Sequence, residues 1–313
     1  MKPLMILTGP TAVGKTELSI ALAKSIGGEI ISADSMQVYK YMDIGTAKIR
    51  PEEMQGVPHH LIDILDPGTA FNVAVFKDLA KAAVEEIYGR GHIPVLVGGT
   101  GFYIQALLYD IDFSEEDSDI SIRRKLEKIA AEKGAEYLHD MLRAVDAESA
   151  EQIHANNVKR VIRALEYYRI HGEKISTHNA VERQKKSPYD FLYFVLTHKR
   201  DVLYERIEKR IDKMVEEGLI SEVDNLLKKG YDSSLVSMQG LGYKELIPYL
   251  NGECSLEEAL YILKRDTRHF AKRQLTWFRR ERDVRWLDKS RMSDEEILKE
   301  ILNTMNKEWS LLK

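Results

Sequence analysis

Eight consecutive residues near the start of the chain, Gly9-Pro10-Thr11-Ala12-Val13-Gly14-Lys15-Thr16, complete the pattern G-x-x-x-x-G-K-[ST]. The pattern requires a strand that delivers the chain to Gly9 and a helix that leaves from Lys15. Both are predicted. Leu4-Met5-Ile6-Leu7 is a short apolar run ahead of the loop, and Leu18, Ala21, Leu22 and Ile26 follow at helical spacing until Gly27-Gly28 stops the helix. In such a loop the glycines allow a tight turn that aims backbone N–H groups inward, the helix N-terminus adds partial positive charge, and Lys15 places an ammonium on bound phosphates. The Thr16 hydroxyl is placed to reach Mg²⁺. The loop identifies a class of ligand and leaves the reaction open.

The rest of the first hundred residues alternates in the same way. A strand over 29–33 ends at Asp34, a helix over 73–88 starts behind Asn72 as N-cap and is closed by Gly89 and Gly91, and a strand over 93–97 runs into Gly98-Gly99-Thr100-Gly101. From about Phe113 strands vanish, and charged amphipathic helices continue through Lys186. A strand-like run over 191–197 follows, then helices near 201–217, 221–229 and 256–282. This order predicts an α/β fold: a P-loop NTPase-like core of parallel sheet flanked by helices, 1–112 and 189–313, interrupted by an all-helical insertion domain, 113–188.

In nucleotide hydrolases an Asp at the end of a later apolar strand helps hold Mg²⁺. The strand at 95–97 ends in glycine instead, which favours a transferase that binds and donates a pyrophosphate-bearing group. Asp34 lies where ligands sit in open α/β sheets, and on position alone it is a general base, a metal ligand or a helix cap.

Several segments, in order along nearly the whole chain, resemble one family. They are the phosphate loop, Asp34-Ser35-Met36-Gln37-Val38-Tyr39, Gly45-Thr46-Ala47-Lys48, His59-His60-Leu61-Ile62-Asp63, Gly98-Gly99-Thr100-Gly101-Phe102-Tyr103, the run from Asn157 to Glu166, and the run from Ala271 to Phe278. Together they look like successive signatures of bacterial tRNA dimethylallyltransferases. The resemblance implies transfer of a dimethylallyl group from dimethylallyl diphosphate to the exocyclic N6 of the adenosine 3′ of the anticodon, with diphosphate released. It makes Asp34 the catalytic carboxylate, puts Thr100 near the target nucleotide, and assigns Arg206 and Arg210 to the leaving group. It also implies that the prenyl diphosphate is the physiological occupant of a loop that could in principle hold ATP. The bland reading of Arg206 and Arg210 is a solvated face paired with Glu205, Glu208 or Asp212.

A total of 46 Lys and Arg against 50 Asp and Glu, net −4, excludes an indiscriminate polycation. Resolved along the chain, the charge is uneven. Residues 156–186 hold eight basic against three acidic residues, and 264–285 hold nine against three. RNA loops are gripped through their phosphates by Lys and Arg while splayed bases are stacked and read. The segment Val158-Lys159-Arg160-Val161-Ile162-Arg163 is therefore expected to meet tRNA, with Lys159 and Arg163 one helical turn apart, and Arg123 and Arg124, at the opening of the insertion, to meet the anticodon stem. Residues of the Asp34-Ser35-Met36-Gln37 segment and of Gln239-Gly240-Leu241-Gly242-Tyr243 are expected beside the tRNA, Gln239 reading a base edge and Tyr243 stacking.

Rival readings are a small-molecule kinase with a helical lid and an RNA-binding GTPase-like switch; the latter requires an Asn-Lys-x-Asp segment, which the chain lacks. His59 and His60, without further ligands in view, are expected to contact phosphate or backbone. The ten methionines read as core. The single cysteine, Cys254, permits no internal disulfide and suggests a reducing compartment. No apolar run reaches the length that spans a membrane, so a soluble, cytoplasmic monomer is expected.

Overall fold

The computed structural model describes residues 2–112, 120–182 and 184–309. Phe113, at the expected start of the insertion, and Arg183, in the first basic run, lie outside the described residues.

Strand β1 (Pro3–Thr8) leads through the phosphate loop into α1 (Lys15–Ile26), and β2 (Gly28–Ala33) follows. A two-residue strand, β3 (His59–His60), precedes α2 (Val73–Gly89), β4 (Ile93–Gly98) and α3 (Gly101–Leu108). Helices α4 (Ile120–Val145), α5 (Ala147–Gln152), α6 (Val158–His171) and α7 (Ile175–Glu182) come next. The chain then returns through β5 (Asp190–Thr197), α8 (Arg200–Glu216), α9 (Leu219–Lys228), α10 (Ile247–Leu250), α11 (Leu256–Phe278), β6 (Val284–Asp288) and α12 (Asp294–Glu308).

All six strands pair in parallel, in the order β3-β2-β4-β1-β5-β6. Helices on both faces explain the unbroken apolar runs of the central strands: Leu4 to Leu7 and Leu192 to Leu196 are all buried. Asn72 caps α2 as expected, its side chain accepting from the Val75 N–H at 3.0 Å. Gly89 remains inside that helix, and the left-handed residue that ends the turn is Gly91, with φ 75°.

The end of α11 differs from expectation. The helix stops at Phe278 rather than Arg282, and β6 pairs with Tyr193–Thr197 of β5. β6 is a half-exposed edge strand behind the charged turn Arg279-Arg280-Glu281-Arg282, so its few apolar residues carry no clear alternation. α12, not anticipated either, opens on a reciprocal cap between Ser293 and Glu296.

The chain divides into two compact units, 1–108 with 188–313 and 109–187. In the second, Leu126, Leu138, Leu142, Val161 and Leu165 form a core of their own. Asp146 is wholly buried there and accepts from the N–H and Oγ of both Ser149 and Ser176, at 2.7 to 3.1 Å. Burial pulls its pKa up, but these four donors outweigh burial and hold it below the usual carboxylate value.

Candidate active site

Because the strands are parallel, every loop at a carboxyl end lies on one side of the sheet. The phosphate loop follows β1, Asp34 follows β2, the glycine turn follows β4, and α8 starts three residues past β5. The Thr8 hydroxyl donates to the Gly98 carbonyl at 2.6 Å and fastens the first of these loops to the third. Together they wall a cavity of about 640 Å³.

In the phosphate loop Ala12 and Gly14 are left-handed, with φ 62° and 87°. At Gly14 it is this left-handed backbone that favours glycine, since an added Cβ would meet only the tip of the Lys289 side chain, at 2.8 Å from Nζ. Lys15 Nζ donates to the carbonyls of Gly9 at 2.9 Å and Pro10 at 2.8 Å. Burial, and then the Arg210 guanidinium, bring its pKa down to about 7, opposed by the Asp34 carboxylate. Thr11, Ala12, Lys15 and Thr16 line the cavity, whereas Val13 packs into the hydrophobic core beneath it.

Asp34 lines the same cavity. Its Oδ1 accepts from the N–H groups of Met36 at 2.8 Å and Gln37 at 3.3 Å, an Asx turn that fixes the carboxylate. The Thr100 N–H donates to the Ala33 carbonyl at 3.2 Å, so the glycine turn lies against the residue preceding Asp34.

Arg206 and Arg210 face the cavity from α8. The acids that could have neutralised them have other partners: Glu205 pairs with Lys209 at 2.6 Å, Glu208 with Arg268 at 2.6 Å and Asp212 with Lys264 at 2.5 Å. Arg210 donates to the Thr11 hydroxyl at 3.4 Å. Burial lowers its pKa and Asp34 opposes that. The lining also includes apolar side chains, Ile207, Ile211 and Met214 of α8 with Leu263 and Phe270 of α11. Met36 and Met214 are thus wall residues rather than core.

Other expected site residues are divided. Ser35, Met36, Gln37, Gln239, Gly240, Leu241 and Gly242 line the cavity. Tyr243 does not offer a stacking face: it is fully buried, its hydroxyl donates to Glu222 Oε1 at 2.7 Å, and its ring lies against Gly45. In the helical unit Lys159, Arg160 and Arg163 are exposed, but the side chains of Val161 and Ile162 turn into the core. Arg123 and Arg163 share the buried Glu166, at 2.7 and 3.4 Å. In the second basic run four of the nine, Lys264, Arg265, Arg268 and Arg285, hold carboxylates of their own unit at 2.5 to 2.8 Å. His59 contacts backbone, at 2.8 Å from the Val57 carbonyl, while His60 reaches the buried Glu29 at 2.7 Å.

Two residues at the site escaped sequence reasoning. Gln274 accepts from the Thr11 N–H at 2.8 Å and donates to the Gly99 carbonyl at 3.0 Å, so one carboxamide joins the phosphate loop to the glycine turn. The pattern from Ala271 to Phe278 contained it without suggesting this role. Lys289, just past β6, donates to the Gly14 carbonyl at 3.1 Å and pairs with Asp294 at 2.7 Å; an unrecognised edge strand left no signal for it.

The model of the IPP transferase family matches residues 37–281. The chain is 62% identical over 306 residues to the tRNA dimethylallyltransferase of Lachnoclostridium phytofermentans, covering 97% of this chain and 98% of that protein. It is similar to the solved full-length tRNA isopentenylpyrophosphate transferase of Bacillus halodurans, with TM-score 0.75, 47% identity, and coverage of 98% and 97% of the two chains. It is also similar to a eukaryotic dimethylallyltransferase solved acting on tRNA, with TM-score 0.80, 30% identity, and coverage of 96% of this chain and 78% of that one.

Proposed function

The chain belongs to the IPP transferase family, and on that premise we propose that it transfers a dimethylallyl group from dimethylallyl diphosphate to the exocyclic N6 of the adenosine 3′-adjacent to the tRNA anticodon. The observation that carries this reading is the convergence of a phosphate loop, two arginines and a fixed carboxylate on one cavity with an apolar wall.

In this reading the diphosphate lies on the amides of residues 9–16, with Lys15, Arg206 and Arg210 around it, and the five-carbon chain lies toward Met214, Leu263 and Phe270. The bond from the prenyl carbon to the bridging oxygen breaks, the electron pair leaves with diphosphate, and N6 of adenine bonds to the carbon. Asp34 accepts the proton that N6 sheds. A positioned base of this kind contributes about 10²–10⁴-fold, and fixed cationic donors stabilise the charge on the departing diphosphate without reorganising. Thr100, whose N–H donates to the Ala33 carbonyl and which lines the same cavity, is assigned to the acceptor nucleotide.

The donor set suits Mg²⁺. Thr16 lines the cavity, and in this reading its hydroxyl is the protein ligand. One protein oxygen fits a cation that keeps its waters and takes its other ligands from substrate phosphates. When bound there, Mg²⁺ supplies charge neutralisation of the diphosphate.

We assign tRNA contact to the exposed Lys159, Arg160 and Arg163 and to the cavity residues 34–37, 100 and 239–242. Among the described residues no helix is long and apolar enough to cross a membrane; with a single cysteine in the chain, the cytoplasm is the compartment that fits.

Mass spectrometry of nucleosides from tRNA incubated with the protein, dimethylallyl diphosphate and Mg²⁺ tests the reading. A new dimethylallyl-adenosine is expected. Unmodified tRNA, with ATP consumed on a small acceptor instead, would overturn it.

A further inference from the structure

Glu222 lies in the first turn of α9, outside the residues that line the cavity, and neither oxygen of its carboxylate is idle. Oε2 accepts from the backbone N–H groups of Asp43 at 2.9 Å and Ile44 at 2.7 Å. Oε1 accepts from the Gly45 N–H at 3.0 Å and the Tyr243 hydroxyl at 2.7 Å. Three successive amides converging on one anion form a nest of the kind that binds phosphate in other settings. Here a carboxylate of the same chain fills it. A carboxylate offers about four acceptor sites, and all are used.

The turn that Glu222 grips is part of the cavity wall, through Gly45, Thr46 and Ala47. Gly45 lies so close to the buried Tyr243 ring that an added Cβ would come within 2.6 Å of it. The turn is closed by the Ala47 N–H on the Ile44 carbonyl at 2.9 Å and the Thr46 hydroxyl on the Met42 carbonyl at 2.6 Å. Its far side is read by Gln37, whose Nε2 donates to the carbonyls of Thr46 and Ala47, both at 3.3 Å. The N–H of the same Gln37 donates to Asp34 Oδ1. An unbroken series of hydrogen bonds therefore runs from Glu222 through the 43–47 turn and Gln37 to the Asp34 carboxylate.

We infer that Glu222 is a positioning residue that holds the 43–47 turn and, through Gln37, the aim of Asp34. The inference deepens the proposed function and rests on it for its turnover readout, but its structural half does not. A shift of about 1 Å in a reacting group can cost a hundredfold in rate, so a lost grip on this turn should appear in kcat.

The test is Glu222→Gln. A carboxamide has one oxygen, so in either orientation one pair of donors meets an NH₂ group. Hydrogen exchange, read without substrate, is expected to be about tenfold faster or more at the amides of Asp43, Ile44 and Gly45, the order expected for losing a charged acceptor. In turnover, kcat for prenyl transfer should fall about 100-fold, with KM for dimethylallyl diphosphate within about twofold because the phosphate loop is untouched. In an Asp34→Asn background the same substitution should cost under about threefold, since its effect is routed through Asp34. Tyr243→Phe keeps the ring and removes one donor of four, and should lower kcat less than about tenfold. This variant still tests the grip if Glu222→Gln fails to fold. Unchanged exchange at residues 43–45 overturns the inference, and so does an undiminished loss in the Asp34→Asn background. If the wild-type protein transfers no prenyl group, the proposed function fails and the exchange measurement still decides what Glu222 holds.

Discussion

The two units are held by contacts of different reach. In the core unit the groups that shape the cavity come from opposite ends of the chain: Gln274 meets Thr11 across 263 positions, Arg210 meets Thr11 across 199, and Glu222 meets Gly45 across 177. In the helical unit the corresponding contacts are shorter. Arg163 meets Glu166 three residues on, Asp146 meets Ser149 at the same spacing and Ser176 across 30 positions, and Arg123 reaches Glu166 across 43. A site assembled from distant segments exists only once the whole core has folded. A basic face on one helix exists as soon as that helix does. Substitutions in the first should therefore change chemistry or global stability, and substitutions in the second should change RNA affinity while leaving the chemistry intact.

The largest effect expected under this division is on Asp34. Asp34→Ala should slow prenyl transfer by about a hundredfold or more while tRNA affinity stays within a few-fold, as read by single-turnover kinetics beside a binding titration. A parallel loss of both would break the division, because it would make the Asp34 segment a gripping surface first and a base second.

The same difference in reach explains what was legible in the sequence. The phosphate loop, the first four long strands and the basic face of α6 are local patterns, each contained in a dozen residues or so, and periodicity with turn chemistry exposes them. The pairing of Arg210 with the phosphate loop was accessible only through family resemblance, since Arg206 and Arg210 alone look like any charged helix face. What reveals their orientation is that Lys209, Arg268 and Lys264 take the neighbouring acids, and two of those three partners lie on another helix. Gln274, Lys289 and Glu222 left no trace because a residue's role in a non-local contact is a property of the fold. Tyr243 shows the opposite error. A tyrosine in a glycine-rich loop suggests a stacking surface, yet burial of its ring against Gly45 makes it part of the scaffold.

Next in size is the stability held by Glu29. This residue is 1% exposed and sits near the start of β2, away from the cavity. It receives Arg90 at 2.9 and 2.8 Å, His60 at 2.7 Å and His92 at 2.6 Å. The Arg90 hydrogen bonds, with help from His60 and His92 and against the cost of burial, hold its pKa down at about 2. A carboxylate depressed on folding contributes stability that is complete above its ordinary pKa and is lost as pH falls through the folded value. From 4.5 to about 2 that amounts to about 3 kcal/mol. The difference in urea stability between wild type and Glu29→Gln should therefore be about 3 kcal/mol at neutral pH and shrink toward zero near pH 2. A difference that does not vary with pH would show that Glu29 contributes by packing alone.

Smaller again is the paired substitution Lys159→Ala with Arg163→Ala. Both residues are exposed on α6, and Arg123 still holds the buried Glu166 at 2.7 Å, so the acid is not stranded. Removing two phosphate contacts should weaken tRNA binding roughly tenfold at moderate salt and reduce the slope of log affinity against log salt by about 1.5. Single-turnover rate at saturating tRNA should not change. An unchanged salt slope would remove this face from the RNA interface, and a fall in the saturated rate would extend the helical unit's role into the chemistry.

The last expected effect concerns Lys15, which lines the cavity where the proposed diphosphate lies. Burial and Arg210 set its pKa at about 7, so near neutral pH the ammonium is only partly present in the free enzyme. A diphosphate favours the protonated form, and binding must therefore take up a proton wherever Lys15 is neutral. The sign follows: affinity for a non-transferable dimethylallyl diphosphate analogue should be flat below about pH 6 and weaken as pH rises past 7, approaching tenfold per unit at its steepest. Titration calorimetry in buffers of different ionisation enthalpy measures the proton uptake directly. Lys15→Arg keeps its charge throughout this range and should abolish the uptake even where its geometry weakens binding. A wild-type profile with neither pH dependence nor proton uptake would mean that the Gly9 and Pro10 carbonyls, which Lys15 already contacts, keep the ammonium fully charged. The charge of Lys15 would then be as constant across this range as that of a surface arginine.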